Sequence, residues 1–340
     1  MNIGIVGYGY WGKNIVRNFN ALESCTVTTV CEANTERHSA FKKLYPHIDI
    51  ITSFDELISD SAITGIVIAT PVDTHYPLAK KALLAGKHVL VEKPMTSSAS
   101  EAIELNEIAD ERGLTLMVDH TFLYTGAVQY LKRTVENGAI GDISYIDSTR
   151  INLGLFQHDV NVLWDLAPHD ISICYHLINK KPISVSATGI SHTPNGIENI
   201  AYLTLKFENN VIAHFNCSWV SPVKIRQMLI GGDKKMLVFN DMEPSEKIKV
   251  YDTGYEVKSD EDKKMISADY RTGDIHVPKI PTTEALYLMA SDFVECVKSG
   301  KTPVSSKELG AAVVEILSAA QKSISNQGKE VLLGSDKVLS

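Results

Sequence analysis

Gly7, Gly9 and Gly12 fall on the spacing G-x-G-x-x-G directly after the short apolar run Ile3, Ile5 and Val6. The first glycine lets the chain turn, the second lets the backbone approach a pyrophosphate, and the third lets the next helix pack closely on the sheet. That helix, expected from 13 to 22, offers the unpaired N–H groups of its first turn to phosphate. A second apolar run, 27–31, ends in Glu32, twenty positions past Gly12, where an acid that binds a ribose hydroxyl belongs. The chemistry of this stretch is dinucleotide binding.

Two further groups could act on a substrate. Lys93 directly follows a buried strand and precedes Pro94, which restricts its backbone. A lysine held there can donate to a hydroxyl and stabilise an alkoxide as hydride leaves its carbon, whereas an ordinary exposed lysine would follow polar residues. Asp165 and His169 are i and i+4 in the helical pattern of 161–177, so both emerge on one face. An acid beside an imidazole fixes its tautomer and suits it to act as a base or acid near neutral pH. Spacing alone points more to a structural Asp/His pair near a helix end, and it is the address of Lys93 that shifts the balance toward catalysis. Pro168 between them suggests a break or fresh start of the helix. Arg150 and Asn152, on a strand that leads to the loop bearing His158, are candidates for substrate phosphate or hydroxyl contacts. His75, at a helix start after the fourth strand, reads as a cofactor-site group or a capping residue. His158, Asp165 and His169 match no compact zinc spacing, and no metal is expected.

These residues need elements to hold them. From 31 to 117 the chain alternates strand and helix, with strands at 48–51, 65–69, 88–91 and 114–118 and helices ending near 44, 58, 85 and 112. The runs at 65–69 and 88–91 have no polar break and must be buried on both faces. This is the grammar of a doubly wound parallel α/β sheet, in which ligands sit at the carboxyl ends of the strands. After 118 the pattern changes. A helix over 124–137 is followed by strand-like runs at 143–153, 183–190, 200–207, 211–219, 225–230, 236–239 and 248–251, with Asn209-Asn210 as a hairpin turn. Alternation in 201–207 implies an antiparallel sheet with one buried face, a C-terminal α+β domain. Its other face, rich in Tyr, Trp and Thr, either meets another subunit or faces solvent. Residues 242–280 are polar and read as loops and hairpins. Helices are expected at 283–298 and 306–326, the last packing back on the first domain. The expected domains are 1–121 and 122–340.

The 340 residues carry a net charge of −8, which argues against nucleic acid as a partner. No apolar run reaches membrane-spanning length, and the chain goes straight into a strand, so a cytoplasmic protein is expected. Five scattered cysteines without C-x-x-C pairs give neither a disulfide framework nor a zinc site.

Taken together, Gly7-Tyr8-Gly9-Tyr10-Trp11-Gly12, Ala69-Thr70-Pro71 with His75, Val91-Glu92-Lys93-Pro94 and Asp165-Leu166-Ala167-Pro168-His169-Asp170 resemble the glucose-fructose oxidoreductase and inositol dehydrogenase family, Gfo/Idh/MocA. Four such motifs in order are highly specific, and the likeness runs down to Gly300-Lys301-Thr302-Pro303. The resemblance implies an NAD(P)-dependent sugar dehydrogenase that forms homo-oligomers through its second domain. It places the cofactor on Gly7, Gly9, Tyr10, Trp11, Gly12, Glu32, Arg37, Thr70, Pro71, His75, Glu92 and Lys93, and catalysis on Lys93, Asp165 and His169. Glu32 favours NAD, since a carboxylate repels a 2′-phosphate, while Arg37 keeps NADP as the alternative. Asp119-His120-Thr121-Phe122-Leu123-Tyr124 and 162–169 resemble the branch that oxidises the 3-hydroxyl of UDP-N-acetylglucosamine or its uronate. Tyr124 joins Lys93, Arg150, Asn152, His158, Asp165 and His169 as an implied substrate contact. Residues 242–280 depart from that branch. A cyclitol dehydrogenase or a keto-sugar nucleotide reductase of the same family is the nearer alternative, and a cofactor-binding regulator without turnover is the one of a different class.

Overall fold

The computed structural model describes residues 1–154, 156–158, 160–256 and 269–334. The chain forms two compact units, 1–125 with 283–315, and 126–282 with 316–340. The first boundary falls four residues beyond the expected one, and residues 283–315 cluster with the N-terminal unit.

The first unit is built on six parallel strands in the order β3-β2-β1-β4-β5-β6: β1 (Asn2–Val6), β2 (Thr26–Cys31), β3 (Asp49–Ile51), β4 (Gly65–Ile68), β5 (His88–Glu92) and β6 (Leu116–Asp119). Between them run α1 (Tyr10–Asn20), α2 (Glu36–Leu44), α3 (Phe54–Ser59), α4 (His75–Leu84) and α5 (Ala99–Arg112). The strands read as uninterrupted apolar runs because helices cover both faces, and β4 is buried throughout. Helix starts follow local chemistry: Ser53 and Ser98 accept from the N–H groups of Glu56 and Glu101, and Gly113, in the left-handed region, ends α5. Asn34 accepts from Glu36 N–H before α2.

α8 (Ala285–Ser299) belongs to this unit because its apolar stripe is buried beside α1. The rings of Phe293 and Phe19 meet edge to face at 6.3 Å. Glu284 receives both Arg17 amino groups at 2.9 and 2.6 Å, and Asn18 at 3.0 Å. The start of α9 (Lys307–Ser325) lies along β6, where Met117 and Ser306 form an antiparallel bridge.

The second unit carries α6 (Gly126–Glu136), β7 (Ile143–Leu153), α7 (Val162–Ile178), β8 (Ser184–Ile190), β9 (Ile200–Lys206) and β10 (Ile212–Ser218). It continues with β11 (Val220–Gly232), β12 (Met236–Asn240), β13 (Ile248–Tyr251), β14 (Gly254–Glu256), β15 (Asp269–Arg271), β16 (Ile275–His276) and β17 (Val331–Leu332). Nine strands form one sheet, β16-β13-β12-β11-β7-β10-β9-β8-β17, antiparallel except where β7 meets β10. Within 242–280, β14 pairs with β15, while residues 257–268 lie outside the described residues. The β9–β10 turn uses Asn209 and Asn210 at φ 61° and 59°, a left-handed geometry that asparagine tolerates. On the buried face Ala201, Leu203 and Leu205 stand opposite Cys217, Phe215 and Ala213. Trp219 has the same parity and is 1% exposed, so it is a core residue rather than part of the outer face.

α7 crosses this buried face. It starts on Asn161, whose side chain accepts from the N–H groups of Leu163 and Trp164, and it runs as one helix through Pro168 to Asn179 in the left-handed region. The expected break at Pro168 does not occur. Proline removes one helical hydrogen bond, and burial of ten residues of the helix, Pro168 among them, outweighs that loss.

Candidate functional site

In the first unit, the carboxyl ends of β1, β2, β4 and β5 open into a cleft of about 650 Å³. Gly7 stands at φ +92° with its N–H on Cys31 O at 2.8 Å, and a Cβ there would collide with the Ala69 carbonyl. A Cβ on Gly12 would strike the Gly7 carbonyl, so these two glycines bind the turn to the sheet. At Gly9 an added Cβ would meet nothing closer than Arg37 Nη1 at 4.0 Å. That open position caps α1 without a side chain and leaves the first-turn N–H groups for an anion. The shape and donors fit the pyrophosphate of a dinucleotide.

Glu32 is 5% exposed at the end of β2. Its carboxylate accepts from the N–H groups of Tyr8 and Asn34, each at 2.7 Å, and from Arg37 at 3.1 Å. Burial raises its pKa, but these donors outweigh that and hold it below the usual range. The carboxylate is therefore fixed and ionised on the cleft wall. Tyr10 and Trp11 are 82% and 48% exposed and line the cleft edge to face at 5.5 Å, as do Arg37, Thr70, Pro71, Glu92 and Lys93. Thr52, Phe54 and Leu78 complete it. The first two follow β3, and the rule that ligands sit at strand carboxyl ends would have found them.

Two expected site residues stand elsewhere. His75 is 1% exposed and does not line the cleft; its ring nitrogens lie 2.8 Å from the carbonyls of Pro94 and Thr70. It ties the segment after β5 to the segment after β4. Burial depresses its pKa, although the two carbonyls and Asp73 oppose that. Tyr124 is 3% exposed; its hydroxyl donates to Asp292 at 2.6 Å and accepts from Ser305 N–H at 3.1 Å. It anchors the chain between α8 and α9 rather than offering a substrate contact.

In the second unit, Asp165 and His169 lie one turn apart on α7, both half-buried. Asp165 Oδ2 accepts from Trp219 Nε1 at 2.9 Å. The indole also packs edge to face on Phe156 at 5.9 Å, and Gly154 N–H bonds the Trp219 carbonyl. Trp219→Phe removes the donor and part of the buried ring; a hydrogen bond to a charged acceptor is worth about 1.5–3 kcal/mol, and urea denaturation is expected to read a loss of at least that order, the cavity adding to it. His158 is exposed in the loop before α7, whose residues 155 and 159 lie outside the described residues. Asn152 is half-buried on the α7 side of β7.

Arg150 is not a substrate group. It is 2% exposed and grips Asp170 with two hydrogen bonds, 2.9 Å from Nε and 2.6 Å from Nη2. Burial alone would lower its pKa, and Asp170 more than reverses that. The fork fixes α7 on the sheet one residue beyond His169. Arg150→Met leaves Asp170 buried without a counter-charge, so a loss of about 3–5 kcal/mol is expected in equilibrium unfolding. Among the described residues no cluster of histidine, cysteine or carboxylate could hold a metal, and no helix is long and apolar enough to cross a membrane.

Residues 1–120 match the GFO_IDH_MocA oxidoreductase family, NAD-binding Rossmann fold, and 128–238 match the GFO/IDH/MocA C-terminal domain. The uncharacterized oxidoreductase YdgJ of Escherichia coli (strain K12) is 33% identical over 181 residues, 50% of this chain and 51% of that protein, so the chain spans about half the length of this relative. The scyllo-inositol 2-dehydrogenase (NADP(+)) IolW of Bacillus subtilis (strain 168) is 25% identical over 98% of this chain and 96% of its own. UDP-N-acetylglucosamine 3-dehydrogenase of Acidithiobacillus ferrooxidans is 28% identical over 68% of this chain and 71% of its own. The solved structure of that organism's UDP-N-acetylglucosamine 3-dehydrogenase GnnA superposes with a TM-score of 0.80 at 22% identity, covering 95% of this chain and 99% of that one. With a nucleotide cleft in the first unit and both family domains matched over more than half its length, this chain belongs to the GFO/IDH/MocA family of NAD(P)-dependent oxidoreductases.

Proposed function

We propose that this protein oxidises a secondary alcohol of a sugar, and that its substrate is a UDP-N-acetyl-hexosamine taken to the 3-keto sugar. The observation that supports this most is Lys93, half-buried at the end of β5 and lining the same cleft as Glu32 and Gly9. Gly7, Gly9, Gly12 and Glu32 would hold NAD, which supplies the hydride acceptor. Lys93 donates a hydrogen bond to the sugar oxygen while negative charge gathers there. His169 takes the hydroxyl proton on a ring nitrogen, and Asp165 orients the imidazole from one turn earlier. The likeness to the UDP-N-acetylglucosamine 3-dehydrogenase supports the substrate class.

NADH formation over a panel of UDP-sugars, free hexoses and inositols tests the proposal, with turnover expected on UDP-N-acetylglucosamine or its uronate. Turnover confined to inositols would move the assignment to a cyclitol dehydrogenase, which the match to IolW across almost all of both chains favours. Tight NAD binding without turnover on any polyol would make the protein a cofactor-binding regulator. The outer face of the large sheet, where Tyr145, Tyr202 and Ile212 are 39%, 46% and 44% exposed, is assigned to contact with a second copy. Tyr202→Glu is then expected to lower the mass measured by light scattering.

A further inference from the structure

Arg150 and Arg226 stand directly opposite each other on β7 and β11, so both side chains leave the same face of the sheet, the one that α7 crosses. Met228 and Ile230, of the same parity as Arg226, are buried there. The two arginines meet different fates. α7 packs on β7, β9 and β10, and Arg150 is held by the Asp170 carboxylate in a two-bond fork. Arg226 lies one strand further out, and its side chain is 32% exposed. Its Nη1 reaches Asp241 Oδ2 at 3.4 Å, a long contact, and its Nε is buried with no hydrogen-bond partner among the described residues. Asp241 is also shared: Lys247 stands 3.2 Å from its carboxylate and donates to its carbonyl at 2.7 Å. One carboxylate thus faces two cations, and a positive charge is left over at this position of the sheet.

We propose that Arg226 binds an anionic group of the substrate, a diphosphate or a carboxylate attached to the sugar whose hydroxyl meets His169. The inference rests on that role of His169 and names what the rest of the substrate must carry. His169 directly precedes Asp170, which holds Arg150 on β7, and neighbouring strands lie about 4.8 Å apart. An arm that leaves the sugar at His169 and crosses one strand spacing, from β7 to β11, therefore comes to Arg226. A guanidinium presents its N–H groups as a planar fork matched to two oxygens of a phosphate or carboxylate, and Asp241 at 3.4 Å engages that fork poorly. An arginine placed only to hold the fold would be gripped as Arg150 is, since buried donors are normally satisfied. An uncharged cyclitol has no group that would use it.

Calorimetric titration of the full-length protein reads this site without turnover. The probes are UDP, which carries a diphosphate and no carboxylate, and glucuronate, which carries the reverse. Arg226→Met is expected to weaken binding of at least one of them by about tenfold or more, through loss of charge-assisted hydrogen bonds, and to leave NAD binding within about twofold. A loss confined to UDP assigns Arg226 to a nucleotide diphosphate, and a loss confined to glucuronate assigns it to a sugar acid. The variant should fold, because Asp241 keeps Lys247 as its counter-charge. A second variant retains the guanidinium: Asp241→Asn removes the competing carboxylate and is expected to tighten the same probe about threefold, a gain that adding Arg226→Met largely removes. No binding of either probe by the wild type, unchanged binding of both in Arg226→Met, an equal loss of NAD binding, or no tightening in Asp241→Asn would overturn the proposal. If these binding effects hold while no UDP-sugar or uronate is oxidised, the anion site stands and the assigned reaction falls.

Discussion

Lys93→Met and His169→Ala are each expected to lower kcat by about a hundredfold or more, with NAD affinity changed far less. Proton transfer by a positioned side chain contributes about 10²–10⁴-fold, and a preorganised donor at a developing oxyanion about as much. NAD affinity should change less because, in the proposed site, Gly9, the first turn of α1 and Glu32 would supply most of the dinucleotide contacts, with Lys93 at the other end of the cleft lining. Binding can be followed through Trp11, one of three tryptophans, which lies 48% exposed on the cleft wall. A proton path through these residues also predicts that the two losses do not multiply, since groups acting in one transition state are non-additive. Should both variants retain more than about a tenth of wild-type turnover, the path is wrong.

The first unit was almost fully legible in the chain because its signals are local. A glycine triplet follows a strand, an acid ends the next strand, and apolar runs alternate with capped helices; each is a short-range constraint that the sheet then satisfies. The second unit was less legible where a residue's fate depends on a partner far along the chain. Arg150 looks like a substrate ligand until Asp170 is brought beneath it, yet its parity on β7 with the buried Ile146 and Ser148 already puts it on the covered face. Parity also places Trp219 with Ala213, Phe215 and Cys217, although nothing in the spacing joins its indole to Asp165. His75 and Tyr124 were misread for a different reason. Their position after a strand end is correct, but backbone carbonyls and Asp292 claim their polar atoms, and such partners leave no trace in composition. Residues 283–315 follow the second unit's strands in sequence but join the first unit because α8 buries its apolar stripe beside α1.

Glu32→Ser is expected to move cofactor preference from NAD toward NADP by about a hundredfold or more in the ratio of kcat/KM values. In the proposed cofactor site the carboxylate would stand where a ribose 2′ substituent is recognised, and there it can accept from a hydroxyl but repels a phosphate. It also holds Arg37 at 3.1 Å, spending a cation that would otherwise be available. Removing the carboxylate abolishes the repulsion, releases a guanidinium that is 45% exposed, and leaves the N–H groups of Tyr8 and Asn34 facing the same space. Charge-assisted bonds from Arg37 to phosphate oxygens are roughly twice as strong as neutral ones, so the gain for NADP should come chiefly from that residue. The double variant Glu32→Ser with Arg37→Met separates the two contributions: loss of repulsion survives in it, whereas attraction by Arg37 does not. If the double variant favours NADP as strongly as the single one, Arg37 is not the latent phosphate ligand and the preference rests on repulsion alone.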